Sequence, residues 1–376
     1  MKKLSMLFIL SLLLFGLTNC AEDQPMNENG EGEIVAESCQ SNKPVYLNQT
    51  DTINAKDLWS NSMVCENLKL EDNQIKLQDQ SEKGTLETND FYINDFVELV
   101  PSWNLLMSDN SGVSIYVSIG NESGYSKYYT MAMLKKVYQT SGSNETDDYG
   151  KTSIDTIMPI VSNIDRIKFK VIINKDGDGV TALKNISITT KPKEDTFNYD
   201  LKILKEKNID VLPRQQLAVP VNGNLICSPT SLSMVMAYYN HFESQSVVSR
   251  LVYDEGAKIY GNWSLNVGYA GGFDDLFARV EYTKDLNTLM TYINQDIPVV
   301  LSIKTRSKED LKGSIMAYPS GHLIVLTGFT QIDGTWYALV NDPAEYDDFK
   351  VKRIYKLSEL LDAFKGYTYV LKTTAF

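Results

Sequence analysis

Cys227-Ser228-Pro229-Thr230-Ser231-Leu232-Ser233-Met234-Val235-Met236-Ala237-Tyr238-Tyr239 puts a cysteine at the head of a stretch whose apolar residues recur at helical spacing. Pro229 falls in the first turn, where a missing N–H costs nothing. A thiol at that end of a helix faces unpaired N–H groups and the positive end of the macrodipole, which favour the thiolate. A buried structural cysteine on the inner side of a core helix is the competing reading. Far downstream, Gly321-His322-Leu323-Ile324-Val325-Leu326 opens an apolar strand, and Val340-Asn341-Asp342-Pro343-Ala344 closes the next.

The chain has two histidines, so a cysteine and histidine pairing can be built in few ways. His241 lies at the far end of the helix that Cys227 opens, roughly three to four turns of about 5.4 Å away, too far for a hydrogen bond. His322 is the workable base. The turn residues around Asp333-Gly334 fold the strands His322 to Phe329 and Trp336 to Val340 into an antiparallel hairpin, which sets position 322 opposite a residue within about two of 342. A carboxylate there fixes the imidazole tautomer and stabilises an imidazolium beside a thiolate. A satisfied core histidine, and a turn-initiating aspartate before Pro343, explain the same residues individually.

Taken together, the order Cys, His, Asp, with the cysteine opening a helix and the other two on neighbouring strands, resembles the papain-like superfamily. Cys-Ser-Pro-Thr-Ser, Gly-His-Leu-Ile-Val and Asn-Asp-Pro-Ala resemble, more narrowly, the bacteriocin-processing, double-glycine-leader endopeptidases and their free-standing secreted relatives, from about Val211 to the chain end. The resemblance implies Cys227 as nucleophile, His322 as base, Asp342 as the orienting residue and Gln216 as an oxyanion donor, with Gln215 its neighbouring competitor. It also takes in Tyr260-Gly261-Asn262-Trp263, where Tyr260 and Trp263 either line a substrate cleft or pack in the core, and Ser102-Trp103-Asn104 in the preceding β-rich region. Ser228 departs from the glycine usual in the processing enzymes, which puts the narrow substrate groove and double-glycine specificity in question. No ATP-binding transporter part is recognised in the same chain, so the transporter-coupled role does not carry over.

The remaining sequence sets the frame. At 376 residues with 43% apolar content, the chain can bury about two ordinary cores. A net charge of −12 with no basic run beyond the N-terminus argues against nucleic acid or an anionic membrane surface as main partner. Residues 1–19 read as a signal peptide ending in a lipobox-like Leu17-Thr18-Asn19-Cys20, which makes Cys20 the lipidation site and 20–44 a flexible tether. The lipobox resemblance implies a lipid-anchored protein of the bacterial cell envelope, periplasmic or surface-exposed, with plain secretion as the alternative. Cys39 and Cys65 are then available for a disulfide, with two unpaired thiols the competing reading.

From 45 to 192, alternating strands separated by Gly, Asn, Asp and Ser turns indicate an all-β sandwich. Asn174-Lys175-Asp176-Gly177-Asp178-Gly179 begins like a calcium loop, but Asn185 stands where its glutamate belongs, and a hairpin turn accounts for it. Residues 193–210 read as a linker, with a short helix from Leu201 to Lys207, and 211–376 as the second domain.

The expected fold is thus an α+β papain-like cysteine peptidase domain preceded by an all-β sandwich. The expected activity is amide-bond hydrolysis on a peptide or protein substrate, with no metal and no organic cofactor. A catalytically inactive scaffold with a peptide- or glycan-binding sandwich is the alternative, and acyl transfer by the same thiol is a third reading.

Overall fold

Strict alternation makes one side of each outer strand apolar, and two sheets close over those sides. In Arg166–Asn174, Ile167, Phe169, Val171 and Ile173 are buried while Arg166, Lys168 and Lys170 are not. The strand pairs with Gly112–Asn121, whose Val113, Ile115, Val117 and Ile119 fill the same core. The opposing sheet is built around Glu98–Leu106 and Ala182–Lys191. The computed structural model describes residues 39, 43–175, 179–197 and 200–374. The expected signal peptide and Cys20 lie outside the described residues.

The C-terminal part is a seven-stranded antiparallel sheet in the order Leu276–Tyr282, Phe364–Thr373, Val299–Ile303, His322–Ile332, Thr335–Asn341, Lys352–Lys356, with Lys207–Asn208 beside His322–Ile332. Helix Cys227–Tyr238 packs on its central strands, with Gln245–Leu251 and Trp263–Ala270 beside that helix. Strands outweigh helices over the described chain as a whole.

Sandwich and C-terminal sheet fall within one compact unit, Ser38–Phe376. Strand Glu98–Leu106 shows why: seven of its nine residues are buried in an unbroken run, the pattern of a strand covered on both faces. Its outer face meets helix Trp263–Ala270 and strand Leu276–Tyr282. The latter is an edge strand, and its outward N–H groups at alternate residues end on sandwich side chains. Ala278 donates to Asn104 Oδ1 (3.0 Å), Val280 to the Ser102 hydroxyl (3.2 Å) and Tyr282 to the Thr189 hydroxyl (2.8 Å). Asn104 Nδ2 donates back to the Ala278 carbonyl (2.6 Å). Three short polar side chains thereby satisfy an edge that would otherwise leave donors unpaired or recruit another strand.

Three sequence expectations change here. The strands flanking Asn174 to Gly179 belong to different sheets, so the segment crosses between sheets and is not a hairpin; residues 176–178 lie outside the described residues. Leu201 to Lys207 holds one 3-10 turn, Leu201–Ile203, before the chain enters the sheet at Lys207. Cys39 and Cys65, proposed as a disulfide, are free cysteines whose side chains meet; burial, then the Cys39 neighbour, push the Cys65 thiol up.

The absence of a side chain at Gly268 lets helix Trp263–Ala270 lie on Trp103, because a Cβ there would stand 2.6 Å from the indole nitrogen. Gly268→Val should cost about 1–3 kcal/mol, the usual penalty of overpacking. Thermal unfolding of that variant should lower a single shared transition, whereas separate sandwich and C-terminal transitions would contradict the shared edge.

Candidate active site

Helix Cys227–Tyr238 is buried nearly all round, and its three serine hydroxyls find partners inside the protein while the buried Thr230 hydroxyl has none. Ser231 donates to the Leu323 carbonyl (2.9 Å), Ser233 to the Thr230 carbonyl (2.7 Å), and Ser228 Oγ meets the Tyr369 hydroxyl (2.7 Å). Ser228, fully buried, therefore points into the core. Ser231 also ties the helix to the strand that starts at His322.

That strand and the next form the expected hairpin. Ile332 pairs with Thr335 across Asp333 and Gly334, both at positive φ (48° and 77°), the conformation a two-residue type I′ turn requires. Val325 then pairs with Asn341, which sets His322 and Asp342 at the same end of the ladder. His322 Nε2 and Asp342 Oδ1 are 2.7 Å apart, and the Cys227 side chain lies beside the imidazole. With Nε2 taken by the carboxylate, Nδ1 is the nitrogen that can face sulfur.

Asp342 is fully buried and has four donors: His322 and the Ala344 N–H (3.0 Å) on Oδ1, and the hydroxyls of Tyr318 (3.0 Å) and Tyr355 (2.6 Å) on Oδ2. Tyr318 also stacks on the imidazole, ring centroids 4.0 Å apart and planes 12° from parallel. The sequence reading missed both tyrosines. Tyr318 had a local signal, the turn Tyr318-Pro319-Ser320-Gly321 in which Gly321 adopts φ 98° and donates to the Tyr318 carbonyl (3.1 Å). Tyr355 had none, since it is one apolar position in an edge strand.

Electrostatics follow from these contacts. Burial pushes the Asp342 carboxyl up, but the His322 charge and hydrogen bond, the Tyr355 hydroxyl and the Ala344 N–H bring it down to about 2. Burial pushes His322 down, and the Asp342 charge and hydrogen bond, with Cys227, raise it to about 10. Burial likewise pushes the Cys227 thiol up, yet the His322 hydrogen bond and charge, with the Leu323 and Ser228 N–H groups, leave it below the usual thiol value. The three groups favour thiolate, imidazolium and carboxylate together.

Gln216 is buried, and its N–H donates to the Pro343 carbonyl (2.8 Å), next to Asp342. Its Nε2 donates to the Gly223 carbonyl (2.7 Å), while Oε1 has no partner. Gln215 is half-buried and its side chain accepts from the Ala218 N–H (2.9 Å). Of the two glutamines, Gln216 is the inward-facing one. Trp263 is half-buried against Tyr367 (4.4 Å between centroids), and Tyr260 against Tyr253 (4.7 Å) with its hydroxyl accepting from Asn222 (3.0 Å). His241 lies apart, bonded to Asp275 (2.9 Å). Among the described residues, no group of three or more His, Cys, Asp or Glu side chains is placed to hold a metal ion.

The His322 pKa is raised from 6.5 to about 10, so its stabilisation is complete below 6.5 and lost as pH rises through about 10. The Asp342 pKa is lowered from 3.8 to about 2, so its stabilisation is complete above 3.8 and lost as pH falls through about 2. Asp342→Asn should therefore destabilise most between those two ordinary values, by about 3 kcal/mol. Denaturant melts across pH should show the deficit narrowing toward pH 10; a deficit that grew from pH 6.5 to 10 would contradict the ion pair.

Residues 208–371 match the Peptidase_C39 like family. No curated protein is significantly similar to the chain. Among solved structures, a C39-like peptidase from Bacillus anthracis aligns at 13% identity, covering 46% of this chain and 100% of its own, with a TM-score of 0.35. The C-terminal family 6 carbohydrate-binding module of LamC from Zobellia galactanivorans aligns at 11% identity, covering 38% and 99%, with a TM-score of 0.23. The carbohydrate recognition domain of Emp46p aligns at 14% identity, covering 36% and 91%, with a TM-score of 0.23. Residues 208–371 of this chain are thus similar to the Peptidase_C39 like family.

Proposed function

We propose that this region is a papain-like cysteine peptidase, a hydrolase of amide bonds in peptides or proteins. The observation that carries the reading is the pair of His322 with the fully buried Asp342, 2.7 Å apart, with Cys227 beside the imidazole at the head of its helix. The thiolate sulfur attacks the scissile carbonyl carbon, and the carbonyl π electrons move to oxygen. The Cys227 backbone N–H and one Gln216 Nε2 proton stabilise that oxyanion, while the other Nε2 proton stays on the Gly223 carbonyl. His322 Nδ1 gives its proton to the departing amine as the C–N bond breaks, which leaves a thioester and a neutral imidazole. The same nitrogen then deprotonates water, and collapse of the second tetrahedral species restores the thiolate and imidazolium and releases the acid.

Asp342 remains ionised throughout and holds the ring by Nε2. Trp263 and Tyr260 are proposed as cleft residues on the side of the 254–263 segment. Attachment to the cell envelope through an acylated Cys20, with a peptide or protein substrate met in the periplasm or at the surface, completes the proposal.

Cys227→Ala should abolish hydrolysis of a casein or peptide-library substrate, and Gln216→Ala should lower kcat by about 10²- to 10³-fold with little change in KM. Turnover that survived Cys227→Ala would sink the reading. Incorporation of an added amine in place of water would reassign the same thiol to acyl transfer.

A further inference from the structure

Two buried carboxylates cross the boundary between sandwich and C-terminal sheet in opposite directions, one from and one to the segment 254–263. Asp254 belongs to that segment and is fully buried. Its Oδ1 accepts from the N–H groups of Ser141 (3.0 Å), Gly256 (2.9 Å) and Ala257 (3.1 Å). Its Oδ2 accepts from the Ser141 hydroxyl (2.6 Å) and Asn262 Nδ2 (2.8 Å). Ser141 is in the sandwich. Asp155, at the tip of the sandwich hairpin Gly150–Ser153 and Thr156–Pro159, accepts from the Trp263 N–H and, at 3.4 Å, from the Ser264 N–H at the start of helix Trp263–Ala270. Burial pushes its carboxyl up to about 6 in spite of these donors, so the contact is held at a cost.

The segment fixed at both ends reaches the candidate site through one hydroxyl. Tyr260 accepts from Asn222 Nδ2 (3.0 Å), and Asn222 lies in the loop that joins Gln216 to Cys227. The next residue, Gly223, supplies the carbonyl that holds the Gln216 amide (2.7 Å). A Cβ at Gly223 would stand 2.5 Å from the Gln216 carbonyl oxygen, so the loop folds closely on itself there.

Backbone strain marks the two ends of this route. Among the described residues two β-branched side chains sit at positive φ, Ile154 (61°) and Val221 (75°). Each costs on the order of 1 kcal/mol or more. Ile154 precedes Asp155 in the hairpin tip, and Val221 precedes Asn222.

We propose that the sandwich is a positioning part of the catalytic site: Ser141 and Asp155 fix the 254–263 segment, whose Tyr260 holds the Asn222–Gly223 turn and with it the Gln216 amide. Ser141, Asp155, Asp254 and Tyr260 are positioning residues on this account. The catalytic consequence rests on the peptidase reading; the mechanical route does not.

Hydrogen exchange of the full chain by mass spectrometry separates the two. In Ser141→Ala, Asp155→Asn and Tyr260→Phe, amides of residues 217–226 should exchange about tenfold faster while those of 322–342 stay unchanged. On a peptide substrate, kcat should fall about 10-fold in all three, with KM within twofold in Ser141→Ala and Asp155→Asn, because an oxyanion donor is displaced. The rate and pH profile of Cys227 alkylation by iodoacetamide should not move, a result that general loosening of the fold would not give. Unchanged exchange in 217–226 for Tyr260→Phe, or a kcat loss matched by an equal loss of alkylation rate, would overturn the proposal. A parent protein whose Cys227 alkylates only as an ordinary thiol would instead remove the peptidase reading, with the exchange result still deciding the route.

Discussion

A carboxylate with no solvent contact and four donors is the constraint around which the C-terminal region is arranged. Burying Asp342 unpaired would cost several kcal/mol. Its neighbours meet that cost: the imidazolium of His322, two tyrosine hydroxyls and a backbone N–H. A charged Asp342 favours the protonated His322, and the His322 charge and hydrogen bond lower the Cys227 thiol below its usual value despite burial. Tyr318 adds rigidity, since the same side chain stacks on the ring and bonds the carboxylate that orients it. Burial and the Asp342 charge push the Tyr318 and Tyr355 hydroxyls well up, so both stay donors.

The scaffold holds those groups through ordinary sheet geometry. A two-residue turn at Asp333 and Gly334 sets the ladder register, and the ladder sets the distance between His322 and Asp342. The helix is tied to the same strand by Ser231 and to the last strand by Ser228 and Tyr369. The sandwich closes the far edge of the sheet with Asn104, Ser102 and Thr189, a device that blocks edge pairing while joining two cores. Burial of both faces of Glu98–Leu106 is the packing result of that arrangement.

What could be read from the sequence follows the range of the interactions. The helix opening at Cys227 and the hairpin joining His322 to Asp342 are legible because proline placement, apolar period and turn chemistry are local. Tyr355 and the Asp254 contacts are not legible: Tyr355 meets Asp342 from the neighbouring edge strand, and Ser141 and Asp254 are 113 residues apart. Alternation likewise identifies the strands on either side of Asn174 to Gly179 without saying which sheet each joins, which is why a hairpin was expected where the chain changes sheets. The two free thiols at Cys39 and Cys65 show the same limit, since spacing along the chain does not decide whether neighbouring sulfurs are bonded.

The central claim is that Cys227 and His322 exist as an ion pair sustained by Asp342, and the most direct measurement is spectroscopic titration of both partners. Thiolate absorbance near 240 nm, read as the difference between the parent protein and Cys227→Ser, should persist well below the ordinary thiol pKa of about 8.5. Imidazole nitrogen NMR shifts should show His322 protonated until about pH 10, with both signatures moving together in Asp342→Asn. A thiol that titrates near 8.5 beside a histidine that is neutral above about 6.5 would contradict the account.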